Sequence, residues 1–102
     1  MALDLHVLKD GQPAELIFQV EHYGRMAKAF DLFAKRTGIV IEPRKDTMLN
    51  SSLMPFMQAL SDAMFMEEEP SARHDLEALI RVLKKAEAKQ FSVGFFCERK
   101  RN

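Results

Sequence analysis

The chain has 102 residues, of which 47% are hydrophobic and 29% charged, a composition typical of a globular protein and not of a disordered one. Its 15 basic residues balance its 15 acidic residues, so no overall positive charge attracts nucleic acid or an anionic membrane. A single cysteine, Cys97, excludes an intramolecular disulfide and a cysteine-rich zinc site, and suits a reducing compartment. No apolar run approaches the roughly 20 residues of a membrane span, and the N-terminus has no basic segment of the kind that begins a signal peptide. We therefore expect a single cytoplasmic domain over residues 1–102, with no membrane partner and no direct binding of nucleic acid.

The first twenty residues predict a β-hairpin. Apolar and polar residues alternate over 3–7 and again over 16–20, the period of a half-buried strand. Between them, Asp10-Gly11 is a strong turn signal, because glycine accepts a positive φ without steric cost. Pro13 is expected before the second strand or on a sheet edge, where its missing N–H does little harm.

The period then changes to that of a helix. Apolar residues recur at steps of three and four between Tyr23 and Ala34, which predicts an amphipathic helix that ends at a Gly38 C-cap. A short extended run is expected at 39–41, followed by an irregular connection over 42–50.

Five of the seven methionines lie between residues 48 and 66. Ser51 or Ser52 is predicted to cap a second helix there. Its inward stripe is expected to consist of Leu53, Met57, Leu60 and Met64, widened by Phe56, Ala59 and Ala63. The favoured interpretation is that these methionines fill irregular space under the sheet, which the flexible thioether chain does well. A thioether copper site needs a tighter local cluster.

A third helix and a last strand complete the predicted order. The helix is expected to start from a Ser71 cap after Pro70 and to bury Leu76, Leu79, Ile80 and Leu83. Glu77 and Arg81, four residues apart, can pair on its exposed side. Alternation over 91–97 predicts a strand.

The predicted order ββααα-β corresponds to an α+β fold, a two-layer sandwich in which three helices cover an antiparallel or mixed sheet. The sheet would contain the N-terminal hairpin and the C-terminal strand. Seven residues are expected to be buried together in the core: Leu5, Phe18, Phe30, Leu60, Leu79, Leu83 and Phe95.

Residues that could carry catalysis are few. His6, His22 and His74 do not lie at metal-ligand spacings, so neither a metal nor a cofactor is expected. Glu21 and His22 could form an acid–base pair, although such a pair more often marks a helix start. Cys97 is expected to be a buried, inert thiol.

The segment Phe65-Met66-Glu67-Glu68-Glu69 is the candidate partner-binding site. If Phe65 and Met66 are exposed beside the three glutamates, they form an apolar spot with an acidic rim. Such a surface is typical of a docking site for a basic partner.

The pieces LDLHVLKDG, EHYGRMAKAFDLFAKRTG and LEALIRVLKKAEAKQFSVGFFCE resemble a group of small bacterial proteins that includes immunity proteins. The resemblance covers most of the chain as an apolar pattern and transfers no functional residues. It implies a non-enzymatic protein that binds and neutralises a cognate toxin domain delivered by cell contact, for example a basic nuclease. The alternative is a small enzyme or nucleic-acid-binding accessory factor that uses Glu21, His22 and the basic tail at 98–102.

Overall fold

The computed structural model describes residues 3–97. Its elements in chain order are β1 Leu3–Lys9, β2 Gln12–Val20, α1 Tyr23–Thr37, β3 Thr47–Met48, a 3-10 turn at Asn50–Ser52, α2 Leu53–Met66, α3 Pro70–Ala88 and β4 Val93–Cys97. The predicted α+β fold is confirmed, since an N-terminal hairpin and a C-terminal strand form one sheet on which the three helices pack.

The sheet has four strands in the order β2-β1-β4-β3, and every neighbouring pair is antiparallel. The hairpin turn has φ 54° at Asp10 and 78° at Gly11, as a tight turn between twisted strands requires. Pro13 lies in the edge strand β2, opposite Leu8. The C-terminal strand β4 lies between β1 and β3, so the two ends of the described chain meet inside the sheet.

An aromatic cluster fills the space between the sheet and the helices. Phe30 and Phe33 of α1, Phe56 of α2 and Phe95 of β4 are all buried, and neighbouring rings in the cluster lie with centroids 5.0 to 5.9 Å apart. At these separations aromatic rings pack edge-to-face or offset, which adds to the stabilisation from burial alone.

Six of the seven predicted core residues are buried in one cluster, and the exception is Phe18. Phe18 is only partly buried, although it packs against the cluster. It lies in the edge strand β2, next to an irregularity in the pairing with β1. An edge strand has a neighbour on one side only, so its side chains receive less cover than those of β1 or β4.

The predicted inward stripe of α2 was wrong at two positions. The buried residues of this helix are Leu53, Phe56, Ala59, Leu60 and Ala63. Met57 and Met64 are only partly buried and lie at the margin of the core. The helix is apolar on most of its circumference, so its periodicity did not distinguish this stripe from the adjacent one.

Two local predictions also need correction. The connection over 42–50, expected to be irregular, contains the short strand β3, which pairs Thr47 with Phe95 and Met48 with Gly94. Helix α3 begins at Pro70 and is capped by Glu69, whose side chain accepts a hydrogen bond from the Ser71 backbone N–H at 3.5 Å. Proline suits the first helical position because the N–H that it lacks would have no partner there.

Candidate partner-binding surface

The last turn of α2 exposes two large apolar side chains. Phe65 is 84% exposed and Met66 is 64% exposed. Phe65 lies two residues after the buried Ala63, which places it about 200° around the helix, on the side away from the core. The helix stops at Met66 because Glu67 adopts an extended conformation. The predicted site residues Phe65 and Met66 thus lie side by side on the surface.

The three glutamates that follow differ in what they contact. The Glu67 carboxylate lies 3.7 Å from Lys28 Nζ of α1 and is only 10% exposed, and it also accepts a hydrogen bond from the Glu69 backbone N–H at 3.3 Å. Glu69 caps α3 through its bond to Ser71. Within residues 3–97, no hydrogen bond or ion pair engages the exposed Glu68. Glu67 therefore stabilises the α2–α3 connection, and Glu68 is the carboxylate most available to a partner.

A groove runs between α2 and α3 and reaches the exposed turn. We call it the methionine groove and define it by Met54, Met57 and Met64 on α2 and by Ile80 and Arg81 on α3; its volume is about 370 Å³. Met64 also borders the adjoining concavity that contains Phe65. The two concavities share Met64 and Glu77, so the methionine groove adjoins the exposed turn along a surface of mixed apolar and charged side chains.

An ion pair joins α2, one of the two helices that form this surface, to α1. Arg36 of α1 lies 2.7 Å from the Asp62 carboxylate of α2, and Gln58 donates to the same side chain at 2.9 Å. These hydrogen bonds, first from Arg36 and then from Gln58, lower the pKa of Asp62. The predicted Glu77–Arg81 pair is present on the exposed side of α3.

Sequence reasoning missed the groove because its methionines have the spacing of core residues. Met54, Met57, Ser61 and Met64 follow each other at steps of three, four and three. The same spacing describes a buried stripe and a solvent-facing groove wall. The serine within the series was the one signal that this stripe faces solvent.

The side chains considered for catalysis do not form a cluster in the described part of the chain. His22 is the N-cap residue of α1 and is exposed, as is Glu21. The His22 carbonyl accepts a hydrogen bond from the Arg25 backbone N–H at 3.0 Å, but neither side chain makes a hydrogen bond or ion pair with any other described residue. His6 packs edge-on against Phe96 with ring centroids 5.4 Å apart. In the described part of the chain, no three His, Cys, Asp or Glu side chains cluster as metal ligands do. The basic tail lies outside the described residues.

Cys97 is not the buried thiol that was expected. It is partly exposed, and its Sγ donates to Asp46 Oδ1 at 3.3 Å, while its backbone N–H donates to the same oxygen at 3.1 Å. The residue is the last of β4 and pairs with Leu3 at the end of the sheet.

The partly buried Tyr23 contacts the connection after α1. Tyr23 donates to the Ile41 carbonyl at 2.6 Å. Burial raises the pKa of Tyr23, and the charges of Asp31 and Glu42 add to that increase.

These features define a small α+β domain with a four-stranded antiparallel sheet, a helical layer and an accessible apolar surface on that layer. Comparison with protein-family models, with curated proteins and with solved structures found no match to this chain. None of the helices within residues 3–97 combines the length and apolar character that crossing a membrane requires.

Proposed function

We propose that this protein is a non-enzymatic binding domain, and specifically an immunity protein that neutralises a cognate bacterial toxin domain. The observation that carries the proposal is the exposure of Phe65 and Met66 at the end of a well-packed helix. Contiguous apolar surface on a small protein often marks an interaction site. Buried aromatic anchors supply much of the binding energy at protein interfaces.

The methionine groove supports the same interpretation. Methionine side chains are unbranched and polarisable, so they adapt to an incoming surface at lower steric cost than branched residues do. Met54 is 58% exposed and extends the apolar surface away from Phe65 along α2. A partner that inserts a side chain into the groove would bury Met54, Met57 and Met64 together.

The proposed mechanism is occlusion of a basic cleft on the toxin. Glu68 would face the positive charge of such a cleft, and Phe65 and Met66 would be desolvated beside it. Charge complementarity of this kind mainly affects the association rate and the choice of partner, whereas buried anchors mainly affect dissociation.

The experiment begins with co-purification of the protein with the product of the reading frame directly upstream of its own. Surface plasmon resonance then compares variants. Phe65→Ala should speed dissociation by about 30-fold, the effect of losing roughly 2 kcal/mol at an interface hot spot. Glu68→Lys should slow association, more strongly at low salt.

Val40→Ala provides the matched control, since Val40 is 49% exposed and lies outside this surface. It should leave both rate constants unchanged. Circular dichroism of each variant reports whether the fold is intact. If no complex forms, the proposed binding of a toxin encoded by that reading frame is wrong. If Phe65→Ala and Glu68→Lys bind as the unchanged protein does, the proposed surface is wrong.

A further inference from the structure

A second groove opens between the edge strand β2 and the C-terminal half of α3. We call it the β2–α3 groove and define it by Val7 and Ile17 of the sheet, Val82 and Ala86 of α3, and Phe91; its volume is about 350 Å³. This volume lies within the usual range of small-molecule sites.

Apolar side chains form the floor of the groove, and charged side chains stand beside them. Ile17 and Val82 are partly buried and pack against the core, and Ala86 is buried at the base. Phe91 is 45% exposed and Leu16 is 46% exposed at the rim. The apolar floor is therefore continuous with the core, and the rim remains open to solvent.

Two lysine side chains lie on one wall of this groove. Lys85 and Lys89 are four residues apart at the end of α3, so they project from the same side of the helix. Lys89 Nζ lies 5.9 Å from the centroid of the Phe91 ring. Across residues 3–97, neither ammonium group has a carboxylate within ion-pair distance. Glu15 is the acidic side chain among the lining residues.

We propose that the β2–α3 groove binds an amphipathic monocarboxylate. Its aliphatic chain would lie on Ile17, Val82 and Phe91, and its carboxylate would lie between Lys85 and Lys89. A monoanion fits better than a phosphate, because the wall offers two point charges and neither an arginine fork nor a helix N-terminus. Glu15 opposes a second negative charge on the ligand. The proposal is independent of the toxin-binding surface.

The test titrates the full chain with decanoate, below its micellar concentration, and follows backbone amides by NMR. Saturable shifts should concentrate at Ile17, Val82 and Phe91. Decanol, which has the same chain and no charge, should bind more weakly. The double variant Lys85→Gln/Lys89→Gln should weaken decanoate binding by about tenfold, the scale of two partly exposed charge contacts.

Lys84→Gln is the matched control, because Lys84 precedes Lys85 on α3 but borders the methionine groove. It should leave the affinity unchanged, whereas Glu15→Gln should increase it. All of these side chains are exposed, so the variants should fold. The proposal is overturned if shifts do not saturate, if they centre on Phe65, if decanol binds as tightly as decanoate, or if Lys84→Gln weakens binding as much as the double variant.

Discussion

Replacing Phe30 by alanine should destabilise the protein strongly, because this ring lies at the centre of the aromatic cluster. Phe30 is 1% exposed, and its ring centroid lies 5.3 Å from that of Tyr23, 5.8 Å from Phe95 and 5.9 Å from Phe56. Removing a buried phenylalanine ring typically costs about 3–5 kcal/mol through lost burial and the cavity left behind. A native domain has only about 5–15 kcal/mol in total.

Urea unfolding followed by far-UV circular dichroism measures this effect. With a urea slope of about 1–3 kcal/mol per molar, the midpoint should fall by roughly 2 M while the slope stays constant. Phe65→Ala deletes the same atoms from a side chain that is 84% exposed, so it should change the free energy of unfolding by no more than about 0.5 kcal/mol. Equal midpoints for the two variants would refute the packing of α1 against the sheet.

Three further substitutions test particular contacts. Tyr23→Phe removes the hydrogen bond to the Ile41 carbonyl and should cost about 1 kcal/mol in urea unfolding. Because the raised pKa of Tyr23 favours the neutral phenol in the folded state, the stability of the unchanged protein should fall as pH rises above 10.0, and the variant should show a smaller fall. His6→Leu removes a buried Nδ1 that has no hydrogen-bond partner within the described chain; it should raise the melting temperature by several degrees, and a lower value would show that Nδ1 has a partner. Gly94→Ala would place a Cβ 2.9 Å from Met48 Sδ and 3.4 Å from Met48 Cα, so it should cost about 1 kcal/mol and speed amide exchange in β3, and unchanged exchange would contradict this contact.

The local sequence pattern predicted the three helices, the strands β1, β2 and β4, and the order of these elements. Alternation and Asp10-Gly11 specified the hairpin, since the period of two and the positive φ are both properties of short segments. Gly38 ended α1 in the left-handed conformation, with φ 79°, as its position after the last periodic residues predicted. The apolar positions of α3 also matched, because one side of that helix is clearly polar and the inward direction is unambiguous.

The candidate site was predictable only in part. Phe65 and Met66 follow the helical stripe at angles that turn them outward, so their exposure could be anticipated. The use of Glu67 by Lys28 could not, because that contact joins α1 to the end of α2 across 39 positions in the chain. The β2–α3 groove could not be anticipated either, because it brings side chains of β2 together with side chains of α3 that follow them by some 60 residues.

Only the tertiary structure decided the orientation of α2. With apolar side chains on nearly every side, this helix had two acceptable inward stripes one residue apart, and its own sequence favoured neither. Packing between α1 and α3 buried Phe56 and Ala63 and left Met57 and Met64 at the edge of the core. The same holds for β3, whose two residues are too few to show a period and form a strand because β4 supplies the hydrogen bonds. Periodicity reports the secondary structure of a segment, whereas burial of a nearly uniform surface is set by neighbours that are distant in sequence.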